Sequence, residues 1–323
     1  MRAAFVIGPS RSGTSVLAQA LGRHAQIVAT DELHYYNLLK PLAEAGGHSR
    51  GWVWARLDAI EHEGRFFEIK NGMLTDVPEP NEDALPQPGV PLLRGFLEQL
   101  GQESGAAAAI EQTPMNLYYR DEIRRDFPGA VFLLMQRDPR AIIASQKMRW
   151  KVGEHGRRDI PARDIARVRH AGHPLLQVLL LRRTLRAMAA AMIEPDVVLV
   201  TYEDMVSQPK SVLAGVAARL GVEDDPSMLG VSDAGSSHTV ESGRTGFDSS
   251  RLEGWRKSLT ETETWLVEQL YGDALVLPVT GARPRLIETM KLVLSVPLAV
   301  VMALYHSAGG YGNLLDAVRR RFL

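Results

Sequence analysis

The sequence contains no cysteine. Disulfide bonds, thiolate metal ligands and a cysteine nucleophile are therefore excluded, and the composition fits a reducing compartment. Neither sign of charge is in excess: 37 Lys and Arg face 38 Asp and Glu, for a net charge of −1. Such a balance gives no overall attraction to nucleic acid, so any basic site has to be local. Long hydrophobic runs are scarce. The first, Ala3–Ile7, has five residues and passes straight into a glycine-rich stretch. That is too short for the apolar region of a secretory signal, and the chain reads as cytoplasmic. What remains is the composition of a globular protein, 45% hydrophobic and 23% charged over 323 residues. That length suits one large domain or two small ones.

Short apolar runs without clean alternation occur at Ala3–Ile7, Ala106–Ile110, Val131–Met135 and Val197–Thr201. They read as strands covered on both faces by helices. Helical spacing appears at Thr14–Arg23, where Val16, Leu17, Ala20 and Leu21 share a face. It recurs at Leu92–Glu103, Leu117–Phe127, Ala141–Arg149, Pro174–Met192, Lys210–Leu220 and Glu261–Tyr271. The alternation predicts an α/β fold: a P-loop-like parallel sheet flanked by helices, in a single domain with helical insertions. The predicted division is a domain over residues 1–283 and a C-terminal helical tail over 284–323. Residues 75–91, rich in Pro and acids, read as a surface loop. Residues 151–170, basic and interrupted by glycine, are either a solvated loop or a lid.

Two motifs carry chemistry. "GPSRSGTS", Gly8–Ser15, follows the first strand. Its glycine spacing and final Ser fit the nucleotide loop G-x-x-x-x-G-K-[ST], but Thr14 stands where the phosphate-binding Lys belongs. A cation appears earlier instead, at Arg11. The helix that starts at Thr14 offers N–H groups and a partial positive charge to an anion. The second motif is "VFLLMQRDPRAIIASQ", residues 131–146, in which Arg137 leaves the end of a strand and Ser145 sits eight positions on. Ligands of open α/β sheets bind at such strand ends. Taken alone, Arg137 could equally pair with an acid there, and Ser145 could be an ordinary helix residue.

Together the two motifs resemble the sulfotransferases that use 3′-phosphoadenosine 5′-phosphosulfate (PAPS). The resemblance covers roughly residues 3 to 272, and the RSGT form of the loop is most similar to the tyrosylprotein and bacterial branches. It implies that the loop binds the 5′-phosphosulfate and that Arg137 and Ser145 bind the 3′-phosphate. Sulfuryl transfer needs no metal and no γ-phosphate, so the missing Lys is not required. The loop has to cradle one phosphate and stabilise the leaving oxygen. Backbone N–H groups of Ser12, Gly13, Thr14 and Ser15, the hydroxyls of Thr14 and Ser15, and the Arg11 guanidinium suit that task. In the tyrosylprotein branch the base is a Glu lying 21 residues after the loop Arg, the separation of Arg11 from Glu32 here. Asp31 and His34, in the same stretch "ATDELHYYN", are the alternatives.

The resemblance further implies that Tyr202, after the strand "VVLVT", lies near the nucleotide, and that Arg244, in "SGRTGFDSS", contacts a phosphate. Arg251 and Lys257 are weaker candidates, and Trp255 reads as core. One residue departs from the family pattern. Relatives carry Lys in the strand exit where this chain has Gln112, in "IEQTPMN". Either another cation replaces that Lys, or the transition state is held differently.

The implied activity is transfer of a sulfuryl group from PAPS to a hydroxyl of a small molecule, a carbohydrate or a lipid. The alternatives are a P-loop kinase or nucleotide hydrolase with a degenerate loop, and a nucleotide-binding domain without catalysis. Trp52, Trp54, Phe66 and Phe67 could line an acceptor pocket or form the core of a helical cap. Finally, "LVLSVPLAVVMALY", Leu292–Tyr305, is apolar but shorter than the roughly 20 residues that span a bilayer. It reads as a helix packed on the domain, a homodimer contact, or a peripheral contact with the inner membrane face, with "RRRF", Arg319–Phe322, as a basic end.

Overall fold

The computed structural model describes residues 1–64, 77–151, 162–231, 246–249 and 252–308. The chain divides into two compact units. The first holds Met1–Gln136 and Ala187–Val231; the second holds Arg137–Arg186 and the chain from Asp248 onward.

The first unit is built on a parallel sheet. Its strands are β1 (Arg2–Ile7), β2 (Ile27–Ala29), β3 (Ala108–Glu111), β4 (Val131–Gln136) and β5 (Val197–Thr201). They are ordered β2-β3-β1-β4-β5. Every pairing is parallel, with Ala4 opposite Ile110 on one side and Val131 on the other. The central strands are apolar throughout because helices cover both faces: Phe5, Val6, Ile7, Phe132, Leu133 and Leu134 have no exposed surface. The connection leaving β1 leads to the β2 edge and that leaving β4 leads to the β5 edge. The switch point of the sheet therefore lies between β1 and β4, at the strand ends that carry the two motifs.

Helix α1 (Thr14–Leu21) packs its Leu17, Ala20 and Leu21 face inward, as the spacing predicts. After β2 the chain makes a π-helical turn (Tyr35–Leu39) and then forms α2 (Lys40–Gly46) and α3 (Arg50–Glu63). Ser49 caps α3 by accepting from the Trp52 N–H. Trp54 is buried edge-on against Phe96 of α4 (Leu92–Ser104), so it belongs to a helical core. Two sequence expectations shift here. The third strand begins at Ala108 rather than Ala106, because the Ala106 N–H closes the end of α4 on the Gly101 carbonyl. The helix expected over 117–127 is broken at Tyr119 (φ −115°, ψ 16°), leaving a 3₁₀ turn at Pro114–Tyr118 and α5 (Arg120–Asp126). Strand β2, three residues long, gave no usable pattern.

Two arginines hold α5 to the turn before β5. Arg120 binds both oxygens of Glu194 at 2.9 and 2.8 Å, and Arg124 binds both of Asp196 at 2.8 and 2.9 Å. These fork-to-carboxylate pairs hold the Glu194 carboxyl below its ordinary range, Arg120 contributing most. The unit is completed by α9 (Tyr202–Ser207) and α10 (Pro209–Leu220), either side of the helix break at Gln208.

The second unit contains α6 (Pro139–Lys147), α7 (Ala162–Ala171), most of α8 (Pro174–Ala191), α11 (Glu261–Tyr271), α12 (Leu286–Leu294) and α13 (Val296–Ala308). The basic stretch 151–170 thus ends in helix α7, while residues 152–161 lie outside the described residues. Ile142, Ile143, Val178, Trp255, Val267 and Tyr271 form its apolar core, which confirms Trp255 as a packed residue. At the centre is Arg140, fully buried. It binds Asp138 through two nitrogens (2.9 and 2.7 Å), Glu268 at 2.7 Å and the Leu277 carbonyl at 2.7 Å. Its guanidinium also lies 4.4 Å from the centre of the Trp255 ring.

Candidate active site

The loop after β1 is shaped by its backbone. Gly8 has φ 138°, and a Cβ there would sit 2.6 Å from the Met135 carbonyl oxygen, so the loop can cross the end of β4 only with glycine. Arg11 takes φ 75°, a left-handed conformation that an L residue adopts at a cost of about 1 kcal/mol or more. Ser12 folds back on Pro9: its N–H and its hydroxyl both donate to the Pro9 carbonyl, at 3.1 and 2.7 Å. Its side chain shapes the loop. Gly13, with φ 100°, starts α1. Among the described residues no side chain caps this helix, and its first turn holds no acid. Gly13, Thr14 and Ser15 therefore present N–H groups that have no acceptor within the helix, at its positive end. The Tyr202 ring rests on Gly13, so close that a Cβ would lie 2.5 Å from Cδ2. Tyr202 thus stands against the loop.

Across from Thr14, three further side chains converge. Gln112, 2% exposed at the exit of β3, donates through Nε2 to Thr14 Oγ1 at 3.2 Å and to Glu32 Oε1 at 3.4 Å. The other Glu32 oxygen is 3.0 Å from His34 Nε2. His34 Nδ1 is 3.2 Å from Asn37 Nδ2. Asn37 Oδ1 also lies 3.3 Å from Nδ1, so the ring is held between Glu32 and Asn37. The Glu32 side chain remains 41% exposed, so it is held in place yet open to a solute. Asp31 is exposed, and its backbone N–H is bound by Glu61. Of the three acids and bases in "ATDELHYYN", Glu32 and His34 are paired with each other. His34 has φ 52°, and the π-helical turn begins after it; both are uncommon conformations that gather at functional sites.

Behind this row lies a buried acid. Glu111 has no exposed surface and ends β3. It accepts from the Leu33 N–H at 3.3 Å, from the Thr113 hydroxyl and from the Asn116 amide. Thr113 in turn accepts from the His34 N–H at 3.2 Å. Burial dominates its titration and pushes the carboxyl up to about 8, against the hydrogen bonds from Thr113 and Leu33. This buried acid thus holds the backbone at Leu33 and, through Thr113, at His34. Sequence reading did not single out Glu111, whose only signal was its place beside Gln112.

In the second unit, Asp138 caps α6 by accepting from the Arg140 N–H at 2.9 Å. Ser145 is buried on that helix and Arg137 is partly exposed at its approach. Arg140, the second arginine of "RDPR", is structural. Lys147 binds both oxygens of Glu263, and Glu263 closes a capping box with Thr260 at the start of α11. Arg244, Arg251, Phe66, Phe67 and the Arg319–Phe322 end lie outside the described residues. Among the described residues no cluster of three or more His, Asp or Glu is arranged to hold a metal ion.

Comparison with known proteins identifies a family. A sequence model described as "Sulfotransferase family" matches residues 3–226. Nodulation protein NoeE of Sinorhizobium fredii is 28% identical over 289 residues, which are 84% of this chain and 64% of that protein. The chain thus spans less than two thirds of that relative's length. Among solved structures, a sulfotransferase domain from the curacin biosynthetic pathway matches 86% of this chain and 99% of its own, at 17% identity and a TM-score of 0.45. A sulfotransferase from Mycobacterium avium matches 87% of this chain and 78% of its own, at 11% identity and a TM-score of 0.44.

Proposed function

This chain belongs to the sulfotransferase family, and on that premise we propose that it moves a sulfuryl group from PAPS to a hydroxyl, with Glu32 as general base. The observation that carries the reading is the hydrogen-bonded row Thr14–Gln112–Glu32–His34. Thr14 Oγ1 and Glu32 Oε1 both accept from one nitrogen of Gln112, so they lie no farther apart than two hydrogen bonds end to end. A donor phosphosulfate on the loop and an acceptor hydroxyl on Glu32 then meet across a gap of that size.

In the step itself, the acceptor oxygen attacks sulfur in line. An O–S bond forms, and the bond from sulfur to the 5′-phosphate oxygen breaks. The acceptor proton passes to Glu32, and 3′,5′-adenosine bisphosphate leaves. Charge grows on the bridging oxygen as it departs. The N–H groups of Gly13, Thr14 and Ser15, the Thr14 hydroxyl and the Arg11 guanidinium stabilise it there. Gln112 orients the base through a neutral hydrogen bond. No cation is needed at that position to hold Glu32, and the loop with Arg11 supplies the charge. His34 fixes the second carboxylate oxygen, leaving the Oε1 side toward the acceptor. The family resemblance assigns the 3′-phosphate to Arg137 and Ser145, a further phosphate contact to Arg244, and the nucleotide's flank to Tyr202. P-loop enzymes that transfer phosphoryl groups from ATP use a Lys at the place of position 14, where this chain has Thr.

The test uses PAPS labelled in its sulfuryl group and a panel of phenols, sugars and hydroxylated lipids. Label should pass to at least one acceptor class. With that acceptor, Arg137→Ala should raise the KM for PAPS about tenfold or more, as loss of a charge-assisted bond does, and the acceptor KM far less. Equal changes in both KM values would remove Arg137 from the donor site.

A further inference from the structure

The exit of β3, "EQTPMN", Glu111–Asn116, touches both the loop after β1 and the stretch that carries Glu32. On the loop side, Gln112 donates to Thr14 Oγ1 at 3.2 Å, and the Pro114 carbonyl accepts from the Gly8 N–H at 3.4 Å. On the other side, three consecutive residues meet three consecutive residues. Gln112 donates to the Glu32 carboxylate at 3.4 Å, Glu111 accepts from the Leu33 N–H at 3.3 Å, and Thr113 accepts from the His34 N–H at 3.2 Å. The Thr113 hydroxyl joins the set by donating to Glu111. Glu111, Gln112, Thr113 and Asn116 are all buried.

The sheet explains why such contacts are needed. β2 ends at Ala29, and the Thr30 N–H still bonds to β3, at the Ile110 carbonyl, at 2.9 Å. Residues 31–34 then belong to no strand or helix. Backbone N–H groups that leave a ladder inside a protein need other acceptors. The side chains of Glu111 and Thr113 are those acceptors for Leu33 and His34, so they set the backbone from which the Glu32 and His34 side chains leave. Glu111 serves three donors in all: the Leu33 N–H, the Thr113 hydroxyl and the Asn116 amide. Asn116 Oδ1 is buried without a hydrogen-bond partner among the described residues. In Glu111→Gln, a turned Asn116 amide can therefore accept from the new N–H, while the remaining oxygen keeps Leu33 and Thr113. Glu111→Leu keeps none of these bonds.

We propose that Glu111 and Thr113 are positioning residues for the base: they fix the backbone at Leu33 and His34, and through it the contact of Glu32 with His34. The proposal rests on the reading of Glu32 as general base. The test combines spectra that need no acceptor with rates that do. Glu111→Leu strands three donors and endangers the fold, so Thr113→Val, close in shape, is the main variant, with circular dichroism as the check on folding. In ¹⁵N spectra of the histidine rings, the His34 signals are those lost in His34→Gln. Thr113→Val should shift the His34 Nε2 signal, and Thr113→Ser should leave it in place. In the labelled PAPS assay, Thr113→Val should lower kcat about 10²-fold, as a small misplacement of a reacting group does, and change the KM for PAPS less than about threefold. Thr113→Ser and Glu111→Gln should recover at least about tenfold of that loss. On top of Glu32→Gln, Thr113→Val should cost less than about threefold more, because residues that act through one group are not additive. An unmoved Nε2 signal, a KM for PAPS that rises as much as kcat falls, or additive losses would overturn the proposal and leave Glu32 as base. A near-normal rate in Glu32→Gln would overturn the base assignment and the proposal with it.

Discussion

Replacing Gly13 by alanine probes the loop after β1, the proposed donor site, at its tightest point. Two costs add. The backbone at φ 100° is strained for any L residue, by about 1–2 kcal/mol. The new Cβ would also lie 2.5 Å from Tyr202 Cδ2, and overlap of that kind in a packed region costs about 1–3 kcal/mol. The total, roughly 2–5 kcal/mol, can be relieved only by moving the loop or the ring. Either movement misplaces the N–H groups at the start of α1. At about 1.4 kcal/mol per factor of ten, the lower figure already corresponds to a roughly 30-fold loss of affinity. The assay is calorimetric titration with 3′,5′-adenosine bisphosphate, beside thermal unfolding of the same samples. Gly13→Ala should bind at least about 30-fold more weakly. Tyr202→Ala in the same chain should recover part of the loss, giving a coupling of about 1 kcal/mol or more between the two sites. Wild-type affinity in Gly13→Ala would refute the reasoning, because the loop would then not be the phosphate cradle. Strict additivity would show that the ring does not hold Gly13.

Further outcomes follow from the same structure. Glu32→Gln should lower kcat by about 10²- to 10⁴-fold with nucleotide affinity and melting temperature unchanged, since the side chain is half-exposed and Gln keeps its shape; a near-normal rate would move the base to Asp31 or His34. Arg140→Met should destabilise the second unit by about 3–5 kcal/mol in urea unfolding, because it strands Asp138 and Glu268 in the interior; a loss under about 1 kcal/mol would contradict the burial of that network. Glu111 keeps its proton in the folded protein up to about 8, whereas the unfolded chain releases it in the ordinary carboxylate range. Its contribution to stability is therefore full in acid and is lost as pH rises through about 8, and Glu111→Gln should flatten that decline in a melting-temperature profile.

The sheet was legible because buried parallel strands write themselves as unbroken apolar runs, and four of the five strands do so. β2 was not, since three residues carry no period. The helix break at Tyr119 was hidden too: the apolar spacing of 117–127 is helical, and the interruption arises where Arg120 turns to bind Glu194, a contact made across 74 residues of sequence. At the site, Gly8, Gly13 and the strand–loop–helix order could be read directly, because each glycine answers a backbone demand. The partnership of Glu32 with His34 could not, because neither residue lies in a strand or helix whose period would announce a shared face, and His34 has a left-handed backbone. Gln112 looked like a missing cation in the sequence; in the fold it is the amide that links Thr14 of the loop to Glu32. Arg140 was silent for the opposite reason. A charged residue in a motif beside Arg137 invites a ligand role, and nothing in "RDPR" announces which arginine is buried.

The most direct test of sulfuryl transfer from PAPS is parallel calorimetric titration with 3′,5′-adenosine bisphosphate, 5′-AMP and ATP with Mg²⁺. The expected result is tight binding of the bisphosphate and weak binding of the other two, as the proposed 3′-phosphate contacts of Arg137 and Ser145 require, with Thr rather than a cation at position 14. Preference for ATP with Mg²⁺, or equal affinity for the bisphosphate and 5′-AMP, would contradict it.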